Sequence, residues 1–151
     1  MFALPESTVA RGILEYFVIV IDRNTKGKGI EIVMAKIEVE GKGVIEADAS
    51  TRLVNALETN GVDILHRCGG YARCTTCRVE FVSGEPDKMT QAEKDKLIER
   101  ELFGKARLAC QITCDHDMSV RVLMTVANSG LPDPGGAPET QITPEPVWVT
   151  K

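Results

Sequence analysis

Four of the five cysteines in this 151-residue chain stand as C-x5-C-x2-C-x32-C, at Cys68, Cys74, Cys77 and Cys110. No other feature restricts the fold as much. Four thiolates make a soft, anionic donor set of the kind iron takes in an iron-sulfur cluster, with two ligands going to each of two irons. Fully extended, the stretch from Cys68 to Cys74 reaches roughly 20 Å, whereas ligand sulfurs must converge within a few ångströms. The loop therefore has to curl. Gly69 and Gly70 permit the positive backbone dihedrals that curling demands, and they let backbone N–H groups face sulfur. Because Cys110 comes from far along the chain, metal binding becomes part of folding.

A C-x2-C pair by itself fits a zinc site or a redox dithiol just as well. Closed zinc sites usually show two close pairs, however, and Cys110 has only Cys114 nearby, which gives five candidates for four places. Zinc remains the alternative metal. A Rieske centre needs two histidines, and His66 and His116 lie outside any C-x-H or C-x2-H pair. An odd count of cysteines, with no basic n-region and apolar stretch in Met1 to Gly12, argues for a reducing compartment, and the cytoplasm is expected. The conspicuous apolar run from Tyr16 to Ile21 is long enough for a strand and too short for a bilayer, so no membrane span is expected. With 18 basic against 22 acidic residues the net charge is −4, too mild for a polyanion binder. Aromatic residues are 5% of the chain, which leaves few platforms for stacking bases, and no nucleic-acid partner is expected.

Apolar alternation marks strands in Leu14 to Ile21, in Met34 to Val39 and in Val44 to Ala47. Ser50 is the expected N-cap of a helix carrying Leu53, Val54, Ala56 and Leu57 on one face and ended by Asn60-Gly61. No period survives between Ile64 and Cys77, so that segment is a loop. Arg78 to Val82 reads as a strand closed by a turn at Gly84 to Asp87. Thr90-Gln91-Ala92-Glu93 matches a capping box for a helix that runs through Leu102, with Gly104 as its C′ residue. Ser119 to Leu123 is the last regular strand. This order of elements predicts an α+β roll, a mixed sheet packed on one main helix. Residues 1–29 form an N-terminal extension with an extra edge strand, 30–127 the main domain, and 128–151, which hold most of the chain's prolines, an extended appendage.

The segment Cys68-Gly-Gly-Tyr-Ala-Arg-Cys74-Thr-Thr-Cys77, followed by Arg107-Leu-Ala-Cys110-Gln111, resembles the 2Fe-2S ferredoxins. The five-residue gap is the form seen in the adrenodoxin-type and related bacterial branch. The resemblance spans about Met34 to Val126 and implies a β-grasp fold, a 2Fe-2S cluster held by Cys68, Cys74, Cys77 and Cys110, and one-electron transfer from a reductase to an acceptor protein. It implies an electron-transport protein and not an enzyme, and no residue is assigned to bond-making chemistry. Two other roles fit the same motif: an iron-sulfur redox sensor or assembly protein, and the iron-sulfur component of a multicomponent oxygenase. The sequence departs from the pattern in its short gap to Cys110, in Arg78 where a His commonly follows the third ligand, and in both end extensions.

Other residues have plainer readings. Cys114 is expected to be a small buried side chain, since free cysteine behaves as a hydrophobe. His66 is expected to fix the start of the loop through a backbone hydrogen bond. The charges from Glu93 to Glu101 read as a solvated helix face, and Trp148 as an anchor for the tail. Arg67, Arg73 and Arg78 flank the ligand cysteines and are candidate cations for tuning the reduction potential. The edge strand and the tail leave a homodimer open.

Overall fold

Ala35, Ile37 and Val39 point inward and alternate with exposed Met34, Lys36 and Glu38, which makes β1 (Met34–Val39) a half-buried strand in this computed structural model, which describes residues 32–151. The extra strand expected in the N-terminal extension lies outside the described residues. β1 turns through Gly41 and pairs antiparallel with β2 (Gly43–Asp48), Ile37 opposite Ile45. β6 (Met118–Val122) joins the other side of β1 in parallel, and β3 (Arg78–Ser83) and β5 (Arg107–Leu108) follow antiparallel. The five strands lie in the order β2-β1-β6-β3-β5. A mixed sheet of this order, with α1 (Leu53–Thr59) covering it through Leu53, Val54, Ala56 and Leu57, is the β-grasp arrangement expected from the sequence.

Ser50 does not cap α1. Its N–H and hydroxyl both donate to Asp48 Oδ1, at 2.7 and 2.6 Å, and Arg52 takes the N-cap position without a side-chain cap. One first-turn donor is satisfied from outside the helix instead, by Leu53 N–H to Ile112 O at 2.8 Å. The chain turn before α1 is thus closed by Asp48, and the Arg52 side chain is free to run inward.

Thr90 caps α2 (Gln91–Glu99) as expected, its Oγ1 accepting from Glu93 N–H at 3.1 Å. The helix stops earlier than the spacing predicts, and Gly104 is not its C′ residue. Glu101 takes the left-handed conformation (φ 57°), with Glu101 N–H bonded to Ile98 O at 3.1 Å and Leu102 N–H to Leu97 O at 2.8 Å. This is a Schellman ending, and it carries Leu102 back onto the core beside buried Leu97. Glu93, counted from the sequence among the solvated charges, is fully buried: its carboxylate receives Arg107 Nε at 2.8 Å and Leu108 N–H at 2.9 Å.

Four short elements escaped the sequence reading: β4 (Lys88–Thr90), β5, the 3-10 turn Ala109–Gln111, and α3 (Val126–Ser129), a single turn with a Thr125–Asn128 capping box. The last residues are extended, yet they are bonded along the folded unit. β7 (Trp148–Thr150) pairs antiparallel with β4, and Ile142 is buried. Trp148 itself is 47% exposed, and the core contact comes from its neighbour Val149, opposite Met89.

Candidate metal centre

Antiparallel pairing of Arg78 with Leu108 sets Cys77, just before β3, beside the turn that follows β5, and Ala109 N–H donates to Cys77 O at 3.0 Å. That register brings Cys77 and Cys110 together, both buried, across 32 intervening residues. The other two ligand candidates meet by local curling. Positive φ at Gly69 (70°), Gly70 (88°) and Ala72 (55°) folds the loop so that Cys68 and Cys74 come within hydrogen-bond reach of each other, half-buried at the surface. Ala72 accepts a conformation that non-glycine residues seldom adopt, a strain the loop has to hold.

In each pair the two thiols face each other and shift one another's titration in opposite directions. The Cys68 thiol is drawn down to about 4 by its hydrogen bond from Cys74 and, further, by backbone N–H groups of Cys74, Arg73 and Tyr71, against the effect of burial. Cys74 is pushed up by the same bond. Likewise Cys77 is raised by its bond to Cys110 and by burial, and Cys110 is lowered by accepting it. Cys110 Sγ also lies 3.6 Å from Gln111 Nε2. Cys114 takes no part: burial pushes its thiol up to about 12, as suits a neutral core side chain.

The thiols stand as two pairs, which is the division two irons need and a single zinc does not. Soft donors, backbone N–H groups turned toward sulfur, and one pair dry with the other at the rim fit a binuclear iron-sulfur cluster.

The sequence profile of the 2Fe-2S iron-sulfur cluster binding domain matches residues 37–115, just over half of the chain. The chain belongs to this family. Its cofactor is accordingly a 2Fe-2S cluster, and the ferredoxin resemblance read from the cysteine motif holds. A subunit of the Na+-translocating NADH-quinone reductase of Klebsiella pneumoniae is 30% identical over 90 residues, covering 60% of this chain and 22% of its own length. Its counterpart in Neisseria meningitidis serogroup C is 34% identical over 86 residues, or 57% of this chain and 21% of the relative. The match thus spans about a fifth of these curated relatives. Among solved structures, a ferredoxin reductase in carbazole 1,9a-dioxygenase shares the fold at TM-score 0.50 and 21% identity, covering 60% of this chain and 29% of that one.

Around the centre, the ferredoxin domain places the three arginines that flank the cysteines differently from one another. Arg67 is exposed and ion-paired with Asp133 at 2.9 Å. Arg73 is exposed and lies over the Tyr71 ring, 5.5 Å from its centroid. Arg78 is pinned to the loop itself, donating to Thr75 O at 2.7 Å and Thr75 Oγ1 at 2.8 Å. His66 does fix the start of the loop, but its partner is in the tail: Nδ1 donates to Gly136 O at 2.8 Å, and His66 N–H to Pro134 O at 2.8 Å. Gly135 is required by that contact, since a Cβ there would fall 2.7 Å from His66 O.

Two site residues went unread in the sequence. Gln111 is fully buried and accepts from Thr90 Oγ1 at 2.7 Å while donating to Gly70 O and Thr143 O at 3.3 and 2.8 Å, which ties the α2 cap, the cysteine loop and the tail together. Its place after Cys110 in the quoted motif was the available signal. Arg52, also fully buried, had none, because its partners lie 18 to 89 residues away.

Proposed function

We propose that the chain is a one-electron carrier in which Cys68 and Cys74 hold one iron of a 2Fe-2S cluster and Cys77 and Cys110 the other. The observation that carries this reading is the division of the thiols into a buried pair and a half-buried pair. When bound, the cluster accepts and returns one electron. The chain's part is to hold the inner pair dry just before β3 and in the turn after β5, to turn Tyr71, Arg73 and Cys74 N–H groups toward the outer sulfur, and to present that outer pair at the surface. Exchange with a partner then runs through the rim near Cys68 and Cys74. No side chain is asked to make or break a substrate bond, so the chain by itself acts as a carrier and not as an enzyme.

The partners are a reductase that supplies the electron and an acceptor protein that takes it. Such a domain forms about a fifth of relatives named as NADH-quinone reductase subunits, which supports a donor of the reductase class. The cluster domain occupies 30–127, with 128–151 laid across it. Five unbridged cysteines support a reducing compartment, the cytoplasm. None of the helices among the described residues is long and apolar enough to cross a membrane. Protein-film voltammetry tests the carrier reading: a reversible one-electron wave is expected from protein with an intact visible spectrum. An intact cluster that bleaches on reduction and gives no reverse wave contradicts it, and favours a sensor.

A further inference from the structure

Arg52 is the one fully buried arginine among the described residues, and all of its partners are carbonyl oxygens. Nε and Nη2 donate to Cys110 O at 2.9 and 2.6 Å, and Nη2 also to Gly70 O at 2.7 Å. Nη1 donates to Glu139 O and Gln141 O of the tail, both at 3.0 Å. Five donors meet five carbonyl contacts, and no carboxylate among the described residues pairs with the charge. A buried cation without an anion is costly unless something nearby balances it. The guanidinium grips the backbone of Cys110 on one side and the cysteine loop at Gly70 on the other, which sets its charge between the two segments that carry the ligand thiols. Packing on that loop is close, since a Cβ on Gly70 would fall 2.5 Å from Nη2.

We propose that Arg52 is the buried counter-cation of the iron-sulfur centre and holds its reduction potential up, as a positioning and charge-balancing residue that touches ligand backbone and not metal. This inference rests on the ligand reading above. Two ferric irons, two sulfides and four thiolates sum to a dianion, and reduction adds one more negative charge. A fixed cation beside Cys110 favours the reduced form. Its charge is shielded from salt by burial, unlike those of Arg67 and Arg73 at the surface. The tail is part of the device, because its Glu139 and Gln141 carbonyls close the pocket over Nη1.

The test compares wild type, Arg52→Gln, Arg52→Lys and Arg73→Gln by voltammetry at low and high salt, alongside thermal unfolding of each. Arg52→Gln should shift the reduction equilibrium at least tenfold toward the oxidised form, about 59 mV for one electron, and equally at both salt concentrations. Arg52→Lys, which keeps the charge but loses hydrogen bonds, should unfold earlier yet stay nearer the wild-type potential. Any Arg73→Gln shift should fade with salt. If both Arg52 variants lose stability while keeping the wild-type potential and spectrum, Arg52 is only a structural cross-link and the inference is overturned. Should Arg52→Gln fail to fold, Arg52→Met, which fills the pocket without a charge, carries the test against Arg52→Lys: its reduction equilibrium should lie at least tenfold further toward the oxidised form than that of Arg52→Lys, and equal potentials in the two overturn the inference. A wild-type protein that takes up no cluster overturns the ligand reading itself, an outcome distinct from an unchanged potential.

Discussion

The Glu93–Arg107 pair shows how little of a buried charge is visible one residue at a time. Glu93 sits in a run of charges on α2 that reads as solvated, yet its carboxylate is dry and joined to Arg107 by contacts of 2.8 and 3.2 Å, while Arg107 also donates to Pro86 O and Lys88 O. Burial raises the Glu93 carboxyl and Arg107 opposes that shift. Glu93→Ala would strand Arg107 in the interior and should destabilise the protein by about 3–5 kcal/mol in urea unfolding; a loss under about 1 kcal/mol would mean that water reaches the site. His116 gives a pH signature. Its hydrogen bond to Gly84 O and then its contact with Asp115 raise the imidazole above its ordinary value. Protons are therefore held more tightly in the folded state, so this stabilisation is full below the unfolded value of 6.5 and is lost as pH rises through the higher folded value. The stability gap between wild type and His116→Gln should narrow from pH 6 to pH 8.5, and a gap that widens would reverse the sign. The cysteines, by contrast, could be singled out because each carries its chemistry in its identity, whereas Arg52 and Glu93 take their roles from partners the sequence does not place beside them.

Among elements, those with a period were readable and those without were not. β1, β2, β3, β6 and α1 each bury alternating or helical-face residues, and their positions follow from that pattern. β4 and β5 have three and two residues, too few to show any period. Yet β5 sets the site, because its register against β3 carries Cys110 to Cys77. The end of α2 was misplaced for a related reason: Gly104 is the favoured residue type for a left-handed cap, but Leu102 has to reach the core beside Leu97, and that puts the left-handed turn on Glu101. Glu101→Gly should remove the backbone strain and stabilise the protein by about 0.5–1 kcal/mol, net of the added freedom of the unfolded chain. A lower melting temperature in this variant would show that the Glu101 side chain contributes more than its strain costs.

At the scale of the whole molecule, proline content marked the tail as extended but could not reveal what it lies against. Its backbone carbonyls serve His66, Arg52 and Gln111 in turn before β7 closes onto β4. Backbone carbonyls carry no sequence signal, which is why an apparent appendage proves to complete the cluster side of the fold. Removal of residues 131–151 should leave all four ligands and permit cluster assembly, while lowering stability by about 3 kcal/mol or more through lost hydrogen bonds. Unchanged urea unfolding would show that the tail is not held in solution. The central claim is that Cys68, Cys74, Cys77 and Cys110, and not Cys114, hold one binuclear cluster. Iron and sulfide analysis with EPR of the dithionite-reduced protein tests it most directly, on wild type, Cys110→Ser and Cys114→Ala together. Two irons and two sulfides per chain with a spin-one-half signal are expected for wild type and Cys114→Ala alike, with severe loss of both in Cys110→Ser; a colourless zinc protein, or an iron content that falls as far in Cys114→Ala as in Cys110→Ser, would contradict it.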